Sequence, residues 1–302
     1  MRKILIRSLA ILIPSAYLIS NKTVLTLHNF KFPSIFLSWQ LSIALLVIIL
    51  VYRHYVMTLT LLDLQSYLVS SFPLTFSMYF GSRALGVLPI PVFISGQILG
   101  THIVENIGQI KAAKFFGAVV VQSFNSVFMV PLFILLLSKV DLYILICFLC
   151  HIMSSCAMSR LSHTPSDLES TIKQAVVKIV VAISALLLYG TITGEVVQAG
   201  KYDFSKTHFK IYLICSGVLS AATFVVHGWS YGSGKLEYRL VLQYVAVLIF
   251  GYWYDYNGDV THARDLLISC YFLFLLVLDT YFAKSCDKQS AVGITEIIYN
   301  EV

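Results

Sequence analysis

Charge is what this chain has least of: Asp, Glu, Lys and Arg make up only 12% of its 302 residues. Soluble domains carry about 25%, so the surface cannot be an ordinary hydrated shell. Catalytic signatures are missing as well. The chain has no Walker motif, GxSxG elbow, HExxH pair or aspartate-rich pair, so ATP-driven, hydrolytic and prenyl-transfer chemistry lack their usual residues. There is also no hydrophilic stretch large enough for a soluble domain, the longest loops being 159–171 and 191–209. Six cysteines fall mostly in apolar runs. Cys147 and Cys150 form a CxxC in mid-run, with no strand context and no second ligand pair, so they read as small hydrophobes.

Apolar side chains take the place of charge, at 58% of the chain with a mean hydropathy of +0.82. Ten apolar runs of about 17 to 25 residues suit transmembrane helices rather than barrel strands. They span 4–24, 33–52, 65–82, 87–107, 115–137, 140–158, 172–190, 210–228, 236–254 and 265–283. The expected fold is an all-α membrane protein, a single integral membrane domain over residues 1–302. The opening Met1-Arg2-Lys3 and its apolar run also suit a signal peptide, but Ile13 to Tyr17 offers no small-x-small cleavage site. With ten spans, 13 basic residues lie on the N-terminal side and 7 on the other. That bias places both termini in the cytosol.

A cation inside a span costs roughly 2.5 to 3.5 kcal/mol on insertion scales and normally faces protein or a wet cavity. Lys22 and Arg83 are therefore the first candidates. Tyr17 and Asn21 share a helix face at i, i+4, with Ser20 nearby and Lys22 about 100° around from Asn21. Two readings stay open for this group: a ligand-binding cluster, or a snorkelling lysine beside a helix cap. The run Gly81-Ser82-Arg83-Ala84-Leu85-Gly86-Val87-Leu88-Pro89-Ile90-Pro91 carries two glycines and two prolines, which predicts a tight turn or broken helix. Its arginine is either functional or an anchor at the boundary.

A third group, Lys235, Glu237, Tyr238, Arg239 and Gln243, opens the ninth run; it reads as a binding face or as a charged interfacial rim. His102 and Glu105 stand one turn apart, as a proton relay, a metal pair or a polar helix end would. His151, His227 and Asp279 are single polar residues in spans, each of which must find an internal partner. Gly81-Ser82-Arg83 and Gly232-Ser233-Gly234-Lys235 precede the fourth and ninth runs. In a five-plus-five inverted repeat they would be equivalent, as would Gln97 and Gln243.

The stretch Tyr17-Leu18-Ile19-Ser20-Asn21-Lys22-Thr23-Val24-Leu25, with Phe32-Pro33 and Trp39-Gln40, resembles the first helix pair of nucleotide-sugar transporters in the drug/metabolite transporter superfamily. Gly81 to Leu85 with Ile90-Pro91-Val92-Phe93 is similar to the transmembrane protein 241 branch. These matches cover roughly residues 17–95. The resemblance implies ten transmembrane helices in two inverted five-helix repeats, here 1–138 and 139–302. It implies a carrier, not an enzyme, that exchanges a nucleotide sugar for the nucleoside monophosphate across the Golgi or ER membrane. UDP-N-acetylglucosamine is the preferred solute. GDP-mannose or another phosphorylated or acidic metabolite is the alternative, as is a non-transporting scaffold. On the same ground the substrate-binding residues are Tyr17, Asn21, Lys22, Gln40, Ser82, Arg83, Gln97, Lys235, Tyr238, Arg239 and Gln243. The partners are the nucleotide sugar, the monophosphate and the lipid bilayer, with a homodimer left open; no cofactor, metal or nucleic acid is implied. GDP-mannose carriers have a Lys-Asn pair in helix four and Gly-Ala-Leu-Asn-Lys in helix nine. This chain has Gln97 near the first and nothing like the second, so guanine and mannose recognition are not implied.

Overall fold

The structure is a computed structural model that describes residues 2–97, 140–161, 167–229, 236–256 and 270. Every regular element among these is helical. In chain order they are α1 (Arg2–Thr26), α2 (Pro33–Val51), α3 (Arg53–Met57), α4 (Leu61–Leu85) and α5 (90–97), followed by α6 (Leu142–Leu161), α7 (Leu168–Ile192), α8 (Glu195–Gly200), α9 (Thr207–Trp229) and α10 (Leu236–Tyr256). Seven of the expected spans coincide with α1, α2, α4, α6, α7, α9 and α10 to within four residues at each end. The runs at 115–137 and 265–283, apart from residue 270, and most of 87–107 lie outside the described residues.

Helix starts follow local chemistry. Pro33 opens α2, where its missing N–H is no loss. Thr60 with Asp63 and Asp167 with Ser170 form reciprocal capping boxes at the starts of α4 and α7. The Ser170 hydroxyl, then its amide, holds the Asp167 carboxyl below the usual aspartate range. Past the end of α1, Asn29 takes φ 51°, a left-handed position that asparagine tolerates better than most residues. The chain then turns through Phe30, which meets Phe32, Tyr202 and Phe209 at ring-centroid distances of 5.0–5.4 Å. Tyr202 also donates to the His28 carbonyl at 2.6 Å, and burial pushes its phenol pKa up, keeping it a donor. Burying such a side chain stabilises by roughly 1.5–3 kcal/mol, so this cluster pins the α1–α2 turn onto the α8–α9 connection.

Followed through their contacts, the helices make a closed circuit: α4 packs between α6 and α7, α2 between α7 and α9, and α1 between α9 and α10. A core cluster of Ile90, Phe93, Ile144, Phe148, Val247 and Leu248 completes it from α10 through α5 to α6. Two helices, α2 and α7, are long and apolar enough to cross a membrane, with mean hydropathies of 2.4 and 2.2. Outward faces are apolar on other helices too: Leu62 is 77% exposed, Met153 71% and Trp253 67%. Exposed apolar side chains of this kind suit a hydrocarbon solvent.

Alternating chain direction brings eight helix termini to one end: the C-termini of α1, α4, α7 and α10 and the N-termini of α2, α5, α6 and α9. At the opposite end Lys173 of α7 reaches Glu169 at 2.8 Å and Asp63 of α4 at 3.6 Å. Charge thus ties α7 to α4 at this end.

Candidate functional site

The broken helix expected around Gly81 to Pro91 is present, but the break falls later than the glycine pattern suggests. Gly81, Ser82 and Arg83 belong to the last turn of α4, and the chain leaves the helix over 86–89 before α5 begins. A break exposes carbonyls at one helix end and amides at the next, all of which need partners. Lys22 supplies one half. It is only 4% exposed and donates to the Leu85 carbonyl at 3.2 Å and to the Leu88 carbonyl. Asp255 of α10 supplies the other, accepting from the Ile90 amide at the start of α5. The two stand 3.5 Å apart as an ion pair. A cation lies at a helix C-terminus and an anion at a helix N-terminus, each opposite the matching end of a helix dipole.

Arg83 has a carboxylate of its own. Its Nη2 donates to Glu195 Oε1 at 2.6 Å, while its Nε and Nη2 reach the Tyr79 hydroxyl at 3.2 and 3.1 Å. The Tyr79 hydroxyl donates to the same Glu195 oxygen at 3.0 Å, and the other carboxylate oxygen accepts from the Ser34 amide at 3.1 Å and the Ser34 hydroxyl at 2.5 Å. Gly194, at φ +75°, makes the left-handed turn that sends Glu195 inward at the start of α8. One buried carboxylate thereby joins α2, α4 and α8.

Above this cluster lies a cavity of about 470 Å³, lined by Asn29, Lys31, Phe32, Tyr79, Arg83, Tyr143, Tyr189, Thr193, Glu195, Gln198 and Tyr202. The Arg83 side chain is 28% exposed there, whereas Glu195 is 6% exposed. Nη1 of Arg83 takes part in no hydrogen bond among the described residues, whereas Nε and Nη2 are both engaged. Lys31 is exposed and makes no ion pair among the described residues.

The Tyr17, Asn21 and Gln40 group is also assembled. Tyr17 donates to Gln40 Oε1 at 3.1 Å and Gln40 Nε2 donates to Asn21 Oδ1 at 2.6 Å. The neighbouring Ser20 hydroxyl is buried with no hydrogen-bond partner among the described residues. Lys22 faces away from this group, towards the helix break. Ser82 is buried in α4 and does not line the cavity. Gln97 belongs to a separate cluster at the α4–α6 contact, its Nε2 lying 3.3 Å from Nε2 of His151. His151 Nδ1 sits 2.8 Å from the Ser77 carbonyl, so the neutral ring donates there and accepts from Gln97. His151 has thus found its internal partner. Lys235, His102, Glu105 and Asp279 lie outside the described residues. Tyr238, Arg239 and Gln243 fall on α10 and His227 on α9, but their side chains lie outside them too.

Sequence reasoning passed over Glu195 and Asp255, the residues that organise both candidate cations. A signal existed. A chain with only 15 acidic residues places one directly after the apolar run of α7 and another inside Tyr252-Trp253-Tyr254-Asp255-Tyr256. Asking where the counter-ions of Lys22 and Arg83 must be would have led to these two. No family model matches the chain, and no curated protein matches it.

Proposed function

We propose that the protein is a secondary carrier for a phosphorylated anionic solute, a nucleotide sugar with UDP-N-acetylglucosamine preferred. It works by exchange for the nucleoside monophosphate. In this reading ten helices form two inverted five-helix repeats, both termini face the cytosol, and the cavity opens towards the Golgi or ER lumen. The observation that carries it is the unused Nη1 of Arg83, a residue of a cavity wall that also holds Lys31 and four tyrosines. The unused amino group of a guanidinium gives a charge-assisted hydrogen bond to a phosphoryl oxygen, and tyrosines offer ring faces and hydroxyls to base and sugar. The volume falls within the roughly 300–1,000 Å³ range of small-molecule sites.

Tyr17, Asn21, Gln40 and Ser20 offer polar contacts further along the path. Gln40 lies seven residues into α2, about 10 Å in from the helix start. Lys22 acts in this scheme as a clasp on the helix break and not as the first contact of the solute. Exchange against the monophosphate supplies the driving gradient, so no ATP-dependent step is required.

One observation favours a second reading, a non-transporting membrane scaffold: Lys22 and Arg83 each already have a carboxylate. Proteoliposomes loaded with UMP and given labelled UDP-N-acetylglucosamine separate the two. Uptake driven by internal UMP and lost in Arg83→Ala supports the carrier. Absence of exchange for every UDP-sugar, GDP-sugar and acidic metabolite tried supports the scaffold.

A further inference from the structure

The charges on the cavity wall do not simply add up to an anion trap. Lys31 and Arg83 contribute two positive charges and Glu195 one negative, leaving a net of +1. Glu195 does not need Arg83 to stay in place, since the Ser34 amide, the Ser34 hydroxyl and the Tyr79 hydroxyl also donate to it. Arg83 does not need to leave Glu195 to bind an anion, since Nη1 is unused among the described residues. An incoming phosphoryl group can therefore sit on Nη1 with Glu195 still on Nη2, and, with one hydrogen-bond length on each side of the guanidinium, it would then feel a fixed negative charge about 6 Å away.

We propose that Glu195 is a specificity-determining residue that selects against excess ligand charge, favouring a diphosphate capped as a diester over the uncapped diphosphate. A nucleotide sugar carries about two negative charges and a nucleoside diphosphate about three, because only the latter has a doubly ionising terminal phosphate. Repulsion across about 6 Å at an effective dielectric between about 40 and 80, suited to a partly exposed site, amounts to about three- to tenfold in affinity per added charge. The inference rests on the carrier reading for the identity of the solute alone; the anion preference belongs to the wall itself.

The experiment measures heat stabilisation of the purified protein in detergent by UDP-N-acetylglucosamine, UDP, inorganic phosphate and pyrophosphate. It compares wild type, Glu195→Gln, Ser34→Ala and Arg83→Gln, with UMP-driven exchange run in parallel. Glu195→Gln is expected to improve affinity for UDP relative to UDP-N-acetylglucosamine, and for pyrophosphate relative to phosphate, by about three- to tenfold. Ser34→Ala breaks the same cluster without changing its charge and is expected to keep the wild-type ratios, while Arg83→Gln loses stabilisation by all four ligands. Ratios unchanged within twofold in Glu195→Gln overturn the proposal. So does an equal shift in Ser34→Ala, which would make the effect one of geometry, and so does failure of pyrophosphate to stabilise either wild type or Glu195→Gln. A shifted pyrophosphate ratio without nucleotide-sugar exchange sinks the carrier reading and supports the inference; exchange with unshifted ratios does the reverse.

Discussion

Replacing Lys22 with methionine keeps most of the apolar stem and removes the charge, and the cost follows from what is left behind. Asp255, 10% exposed at its side chain, loses the cation 3.5 Å away. The Leu85 and Leu88 carbonyls lose their shared donor. Removing one partner of a buried ion pair typically costs about 3–5 kcal/mol, since the surviving charge is stranded. Asp255→Asn alone is milder, because an amide oxygen can still accept from the Ile90 amide and Lys22 retains two carbonyls; about 1–3 kcal/mol is expected. In Lys22→Met with Asp255→Asn no charge is stranded. The double variant should therefore be more stable than the sum of the single losses by about 2 kcal/mol, well above the roughly 0.5 kcal/mol scatter of independent sites. Equilibrium unfolding in mixed micelles, followed by tryptophan fluorescence, measures the three variants on one scale. Additive losses would refute the assignment of Lys22 as a clasp. Full stability of Lys22→Met coupled with loss of exchange would return Lys22 to the substrate path.

Gly81→Ala places a Cβ 2.7 Å from His151 Nδ1. The ring is backed by Phe93 at 5.1 Å, so overpacking should cost about 1–3 kcal/mol in the same unfolding assay. Gly194→Ala finds open space but the wrong dihedral, at φ +75°. It should lose about 1 kcal/mol and weaken anion stabilisation, because Glu195 is aimed by that turn. Lys173→Met should separate the two carboxylates it bridges from their shared cation and lower the thermal midpoint more at low salt than at high salt. Asp167 has a folded pKa below its unfolded value, so its cap stabilises above the unfolded pKa and is lost as pH falls through the folded one. A stability advantage of wild type over Asp167→Ala should be present at pH 7 and shrink as pH drops below about 4; a pH-independent difference would show that the carboxylate is not the capping species.

Helix positions were legible because they depend on local pattern: a continuous apolar run about 20 residues long has few alternatives, though the runs read from 65 and 172 began four residues after the starts that Thr60 and Asp167 cap. The break after α4 was legible for the same reason, though the glycines placed it a few residues early. Gly81 serves close packing against His151 rather than a turn. Tyr17 and Asn21 could be put on one face from their spacing alone, and Gln40 proved to be the side chain that joins them.

Pairing was not legible. Lys22 finds Asp255 across 233 positions and Arg83 finds Glu195 across 112, and nothing in the intervening chain encodes which acid meets which base. Composition, run length and turn residues determined by themselves that this is a helical chain rich in membrane-length segments with two costly cations. Only the tertiary structure decided that the cations do different work, because a buried charge takes its role from the partner that packing brings within a few ångströms. Lys22 closes a helix break, while Arg83 keeps its Nη1 unused among the described residues on the wall of a cavity.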